Sequence, residues 1–173
     1  MMLRASLVVL TTLITFTAHA ECTRDPIALD LPAQPMNQAL AQLAMRSGCA
    51  IPSAQRITET APAVSGTYRP EEALWALLQD SGWEGYPTRD GLEVSKREQR
   101  RVHAESAALR ERIAANEALS PDERQRYLAE LEAVEQSVVQ LAREQGFISA
   151  AEKASYRRSF EQLEAALRSP AAG

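Results

Sequence analysis

Two cysteines and two histidines in 173 residues leave little from which to build a catalytic or metal centre. His19 lies in the leading segment. His103 sits in the charged run KREQRRVH, where a surface role is the simplest reading. No CxxC pair, HExxH, P-loop or GxGxxG occurs, and no Ser-His-Asp set can be assembled. The chain is therefore read as a non-enzyme with no cofactor and no metal. Aromatic residues make up only 5%, and positive charge is not in excess. Of the 19 lysines and arginines, Arg4 alone precedes residue 21, leaving 18 against 23 acidic side chains. That balance argues against nucleic acid as a partner. Beyond residue 20 no apolar run is long enough to span a bilayer, so no stable membrane span is expected.

The first twenty residues, MMLRASLVVLTTLITFTAHA, have a basic start at Arg4 and an apolar run from Leu7 to Phe16. They close on Ala18-His19-Ala20, the small-x-small pattern of a secretory signal peptide cut between Ala20 and Glu21. The competing reading is an uncleaved anchor, but the run is short, diluted by threonine and followed by an acidic flank. Glu21, directly before Cys22, departs from the small residues of a lipidation site. Residues 1–20 are thus read as a signal peptide and the rest as a periplasmic protein, associated with the outer membrane through a partner. In an oxidising compartment Cys22 and Cys49 are expected to pair, with metal binding or redox chemistry as the rival reading.

Composition changes near Ser95. Residues 21–95 hold seven of the nine prolines and both tryptophans. Ile27 to Leu31 alternates as a half-buried strand does. Pro35 then opens a helix whose stripe is Met36, Leu40, Leu43 and Ala44, and Ser47-Gly48 ends it before a strand at Cys49-Ala50-Ile51. A second cycle has a strand at 63–68, then a helix opened by Pro70 with Glu71 and Glu72. Its stripe is Leu74, Leu77 and Leu78, and its stop is Ser81-Gly82. Two short strands, 83–86 and 92–94, follow around the turn signal Arg89-Asp90-Gly91. The fold class is read as α+β: two small βαβ-type units over 21–95, followed by an all-α region over 96–169 and a disordered tail at 170–173.

The all-α region has three stripes at helical spacing, read as a helical hairpin or three-helix bundle of coiled-coil character. They are Val102, Ser106, Leu109, Ile113; Tyr127, Leu131, Val134, Val138, Leu141; and Tyr156, Phe160, Leu163, Leu167. Ser120-Pro121-Asp122-Glu123 and Ser149-Ala150-Ala151-Glu152 are capping boxes that start the second and third helices. The basic cluster Lys96, Arg97, Arg100 and Arg101 is flanked by Glu98 and Glu105 and reads as a solvated face.

Residues 26–95 resemble the secretin and TonB short N-terminal domain, STN. The resemblance is carried by Ala33-Gln34-Pro35-Met36, Ala39-Leu40, Leu43-Ala44, Ser47-Gly48 and Ile51. It continues through Val64, Gly66, Tyr68, Glu72-Ala73-Leu74, Leu77-Leu78 and Ser81-Gly82-Trp83. It implies a sandwich of two helices and short sheets that works by protein contact rather than catalysis. The 78 residues after Ser95 differ from the family's usual sequel, being too few to form a plug and barrel or a secretin core. The resemblance implies an interaction module, an adaptor in envelope signalling or TonB-dependent transduction, whose partner is an anti-sigma regulator, a TonB-system or a secretin component. The alternative is a structural accessory of a secretin, pilus or secretion machine, bound through the helical tail. The expected docking surface is a strand edge formed by Cys49, Ala50, Ile51 and Val64, Ser65, Gly66, Thr67. The helical tail is the expected element for self-association.

Overall fold

The structure, a computed structural model, describes residues 22–52 and 54–168. The expected cleavage point at Ala20 and Glu21 and the 170–173 tail lie outside these residues. The class is α+β with a helical C-terminal region.

Alternation along β1 (Ile27–Leu31) buries Leu29 and Leu31 and leaves Ala28 and Asp30 in water. This strand pairs antiparallel with β4 (Val64–Tyr68), in a register that runs from Leu31 opposite Val64 to Ile27 opposite Tyr68. A shorter pair, β2 (Gln34–Pro35) with β3 (Thr60–Ala61), leads into α1 (Met36–Ser47). Met36, Ala39, Leu40 and Leu43 give α1 its buried face, and Gly48 ends it in the left-handed conformation at φ 69°. Helix α2 (Pro70–Leu78) starts on a proline, and Glu72 reaches back to accept the Arg69 N–H at 2.9 Å. Leu74, Leu77 and Leu78 meet Leu40 and Leu43 in one fully buried cluster. Each such leucine contributes about 1.5–3 kcal/mol relative to an exposed one. The hairpin of β5 (Glu84–Pro87) and β6 (Leu92–Ser95) closes this unit.

Two details differ from the sequence reading. The segments flanking α1 do not pair with each other, as a βαβ unit would require. β1 takes β4, and the 49–51 segment forms one parallel bridge, Ala50 to Gly91, with the Leu92 N–H donating to the Ala50 carbonyl at 2.9 Å. Pro52 follows, and without an N–H it cannot extend a ladder. Helix α2 stops at Leu78 rather than at Ser81-Gly82. Asp80 turns left-handed at φ 60° and gives its N–H to the Arg143 carbonyl at 2.8 Å, so the distant helix draws the chain out.

Three helices make the second unit: α3 (Arg97–Ala115), α4 (Pro121–Gln145) and α5 (Ala150–Arg168). Val102, Leu109, Ile113, Leu131, Val138, Ala142, Ile148, Phe160 and Leu163 bury each other as a three-helix bundle. Helix α3 packs on both of the others. Both serine caps form, Ser120 with Glu123 and Ser149 with Glu152. No helix among the described residues is long and apolar enough to cross a membrane.

Cys22 and Cys49 are bonded, tying the start of the described chain to the end of α1, where the Thr23 N–H donates to the Ser47 carbonyl at 2.9 Å. The bond closes a loop with a sequence separation of 27. In the chain-entropy account that constraint contributes about 3.5 kcal/mol. The double variant Cys22→Ser with Cys49→Ala is expected to lose that amount in a denaturant titration. An unchanged midpoint and slope would show that the bond has no structural role.

Candidate functional site

A strand edge presents unpaired N–H and C=O groups, and a protein that avoids self-association must cover or use each one. The β5–β6 hairpin is covered on both sides by its own chain. Ala50 sits on the β6 side, and on the β5 side the Gly85 N–H donates to the Gly146 carbonyl at 2.7 Å. The second contact comes from the loop joining α4 to α5. Phe147 stacks on Trp75 with centroids 4.2 Å apart, and the Trp75 indole donates to the Gly85 carbonyl at 3.0 Å. Gly146 has φ 74°, and a Cβ there would lie 2.7 Å from the Trp75 carbonyl oxygen. Only glycine satisfies both the turn and that approach.

Beneath this contact lies a polar junction. Glu84 is fully buried, and its carboxylate accepts the backbone N–H groups of Glu98 and Gln99, both at 3.0 Å. It also accepts the Gln99 amide at 3.0 Å and the Tyr86 hydroxyl at 2.9 Å. Arg97 and Lys153 lie over the Tyr86 ring at 4.4 and 4.2 Å. Burial, then the Glu84 charge, pushes the Tyr86 phenol well above its ordinary range, which keeps it a hydrogen-bond donor. Glu98, also buried, pairs with Arg101 at 2.9 Å and Lys153 at 3.6 Å. Substituting Glu84→Gln keeps the shape but turns an NH2 toward backbone donors. The expected loss is about 2–4 kcal/mol of unfolding free energy, measured by denaturant titration. A loss below about 0.5 kcal/mol would remove Glu84 from this role.

The expected docking residues are placed unevenly. Cys49 and Ile51 are buried in the first core, Val64 is buried against it, and Ala50 is exposed but paired to Gly91. Ser65, Gly66 and Thr67 are exposed along β4. The Tyr68 hydroxyl donates to the Ser65 carbonyl at 3.3 Å. On the other side of this sheet, Arg46 donates to the Ala28 carbonyl at 3.3 Å, and Pro26 and Pro32 flank β1.

The basic cluster at the start of α3 is largely engaged within the molecule. Lys96 lies over Trp83 at 5.0 Å, Arg97 pairs with Glu93 at 3.3 Å, and Arg101 holds Glu98 and Glu105. His103 faces Glu135 at 3.3 Å, in a groove between α3 and α4. Arg110 grips the same carboxylate with two nitrogens, at 2.7 and 2.6 Å. The Arg110 hydrogen bonds are the main cause holding the Glu135 carboxyl below its ordinary value. A depressed folded value means stability that is present above the ordinary carboxylate range and lost as pH falls through the folded value. The midpoint of wild-type unfolding should therefore fall more steeply than that of Arg110→Ala on acidification below about pH 4.5. Parallel curves would show that the pair has no net effect. Among the described residues, no group of three or more histidine, cysteine, aspartate or glutamate side chains is placed to hold a metal ion.

No family model, curated protein or solved structure matches the chain.

Proposed function

We propose that this protein is a periplasmic protein-protein interaction module that takes a partner strand on the exposed edge of β4. The observation that carries the reading is the exposure of Ser65, Gly66 and Thr67, when both sides of the β5–β6 hairpin are filled from within the chain. Main-chain hydrogen bonding to a strand of this length gives affinity without a deep pocket, and alternate side chains of the guest provide selectivity. The resemblance of residues 26–95 to the STN family supports the same class of function. So does the packing of α1 and α2 with short strands around one apolar core. The partner class that follows is an envelope protein with an extended segment to donate: an anti-sigma regulator, a TonB-system or a secretin component.

A photo-cross-linking amino acid placed at Thr67 and, separately, at the exposed Gln162 on α5 tests this in cells producing the full chain. Covalent adducts with a different protein are expected from Thr67 and not from Gln162. Adducts from Gln162 alone would sink the strand-edge reading and favour a structural accessory docked through its helices.

A further inference from the structure

Two cavities, of 680 and 760 Å³, lie end to end along one flank of α4 and share Glu132 in their walls. Together they follow α4 from Pro121 to Glu144, about 35 Å at 1.5 Å per residue. On α3 this groove is bordered by His103 and Arg110, whereas Glu105 and Arg112 border the α5 side about half a turn away. The groove thus lies on the flank of α3 opposite α5. Leu128, one of two large apolar side chains that are exposed among the described residues, stands in it beside Ala129.

Its charge is graded from end to end. Glu135 and Arg110 neutralise each other, and Glu132 lies where the two cavities meet. Near α2 that leaves Asp80 and Glu144 against Arg143, and at the other end it leaves Arg124. Arg124 is fixed there by donating to the carbonyls of Ile113, Ala114 and Asn116, at 2.6, 3.1 and 3.1 Å.

We propose that this groove seats a second copy of the chain, with α4 antiparallel to its symmetry mate about a two-fold axis between Glu132 and Gln136. A two-fold operator lays each copy's acidic end over the other's basic end, so the gradient is complementary to itself. In this register Arg124 faces Glu144 of the second copy, Ala129 faces Val139, Leu128 faces Gln140 and Glu132 faces Gln136. Each contact occurs twice. The small Ala129 lets the helices approach, while the glutamines can donate and accept across the axis. The other candidate occupant, an amphipathic helix from a different protein, has no charge match on this chain to argue for it. This surface is separate from the β4 edge and does not depend on it.

Sedimentation equilibrium of the purified protein should show a monomer–dimer equilibrium that weakens as salt is raised. Ala129→Arg, at an exposed position, and Glu144→Arg, which sets like charges face to face, should each raise the dimer dissociation constant at least tenfold. In Glu132→Cys with Gln136→Cys, keeping the native disulfide, a short bis-maleimide should link two chains, and Glu117→Cys should not give that product. A monomer at every concentration would overturn the proposal. So would a dimer indifferent to both arginine substitutions, or linkage from Glu117→Cys alone. Cross-linking from Thr67 reports on the strand edge independently, so the two readings can fail separately.

Discussion

A carboxylate from a strand, placed where a helix begins, holds the two halves of this protein together. Helix α3 starts after Lys96, whose side chain can donate but cannot accept, so it leaves its first N–H groups without a local cap. Glu84 supplies the missing acceptor from β5, with two oxygens that take the Glu98 and Gln99 N–H groups. The helix dipole favours a negative charge at that point, and the Tyr86 hydroxyl and Gln99 amide complete its hydrogen bonding. A fully buried carboxylate is costly unless satisfied in this way. Helices α4 and α5 carry their own serine caps and need no such help. The first helix of the bundle is therefore the one whose start belongs to the neighbouring unit.

That dependence explains which parts of the fold were legible in the sequence. The apolar stripes of α3, α4 and α5 could be read because period and burial coincide at Leu131, Val138 and Phe160. The serine capping boxes were legible for the same local reason. Glu84 was not, since an acid within the short stretch Trp83 to Tyr86 carries no local mark of being buried. Its partners lie fourteen and fifteen residues away. Pairing was the other blind spot. Alternation in Ile27–Leu31 identifies a strand, but nothing in that stretch selects Val64–Tyr68 over the 49–51 segment. Pro52 was the available clue that pairing at Ala50 would stop after one residue.

The exposure of the segments expected to dock was half legible. Ser65 to Thr67 have the polarity of an exposed strand and are exposed. Cys49 and Ile51 are apolar, and both went into the core, Cys49 carrying the disulfide. The helical unit also has a part in this distribution. By pressing Gly146 and Phe147 onto Gly85 and Trp75, it occupies the β5 edge of the hairpin. Phe147 follows a glycine outside every stripe, so its place could be found only from the packed structure.

The far side of the β1–β4 sheet sets a limit of another kind. A ribbon open on both sides can recruit a strand at each, and successive additions grow a filament. Here Arg46 reaches over the Ala28 carbonyl, and prolines bracket β1 at 26 and 32, where neither can offer an N–H. Growth on that side is discouraged by ordinary side-chain chemistry. Under the strand-edge proposal, one guest strand per molecule is the stoichiometry that follows.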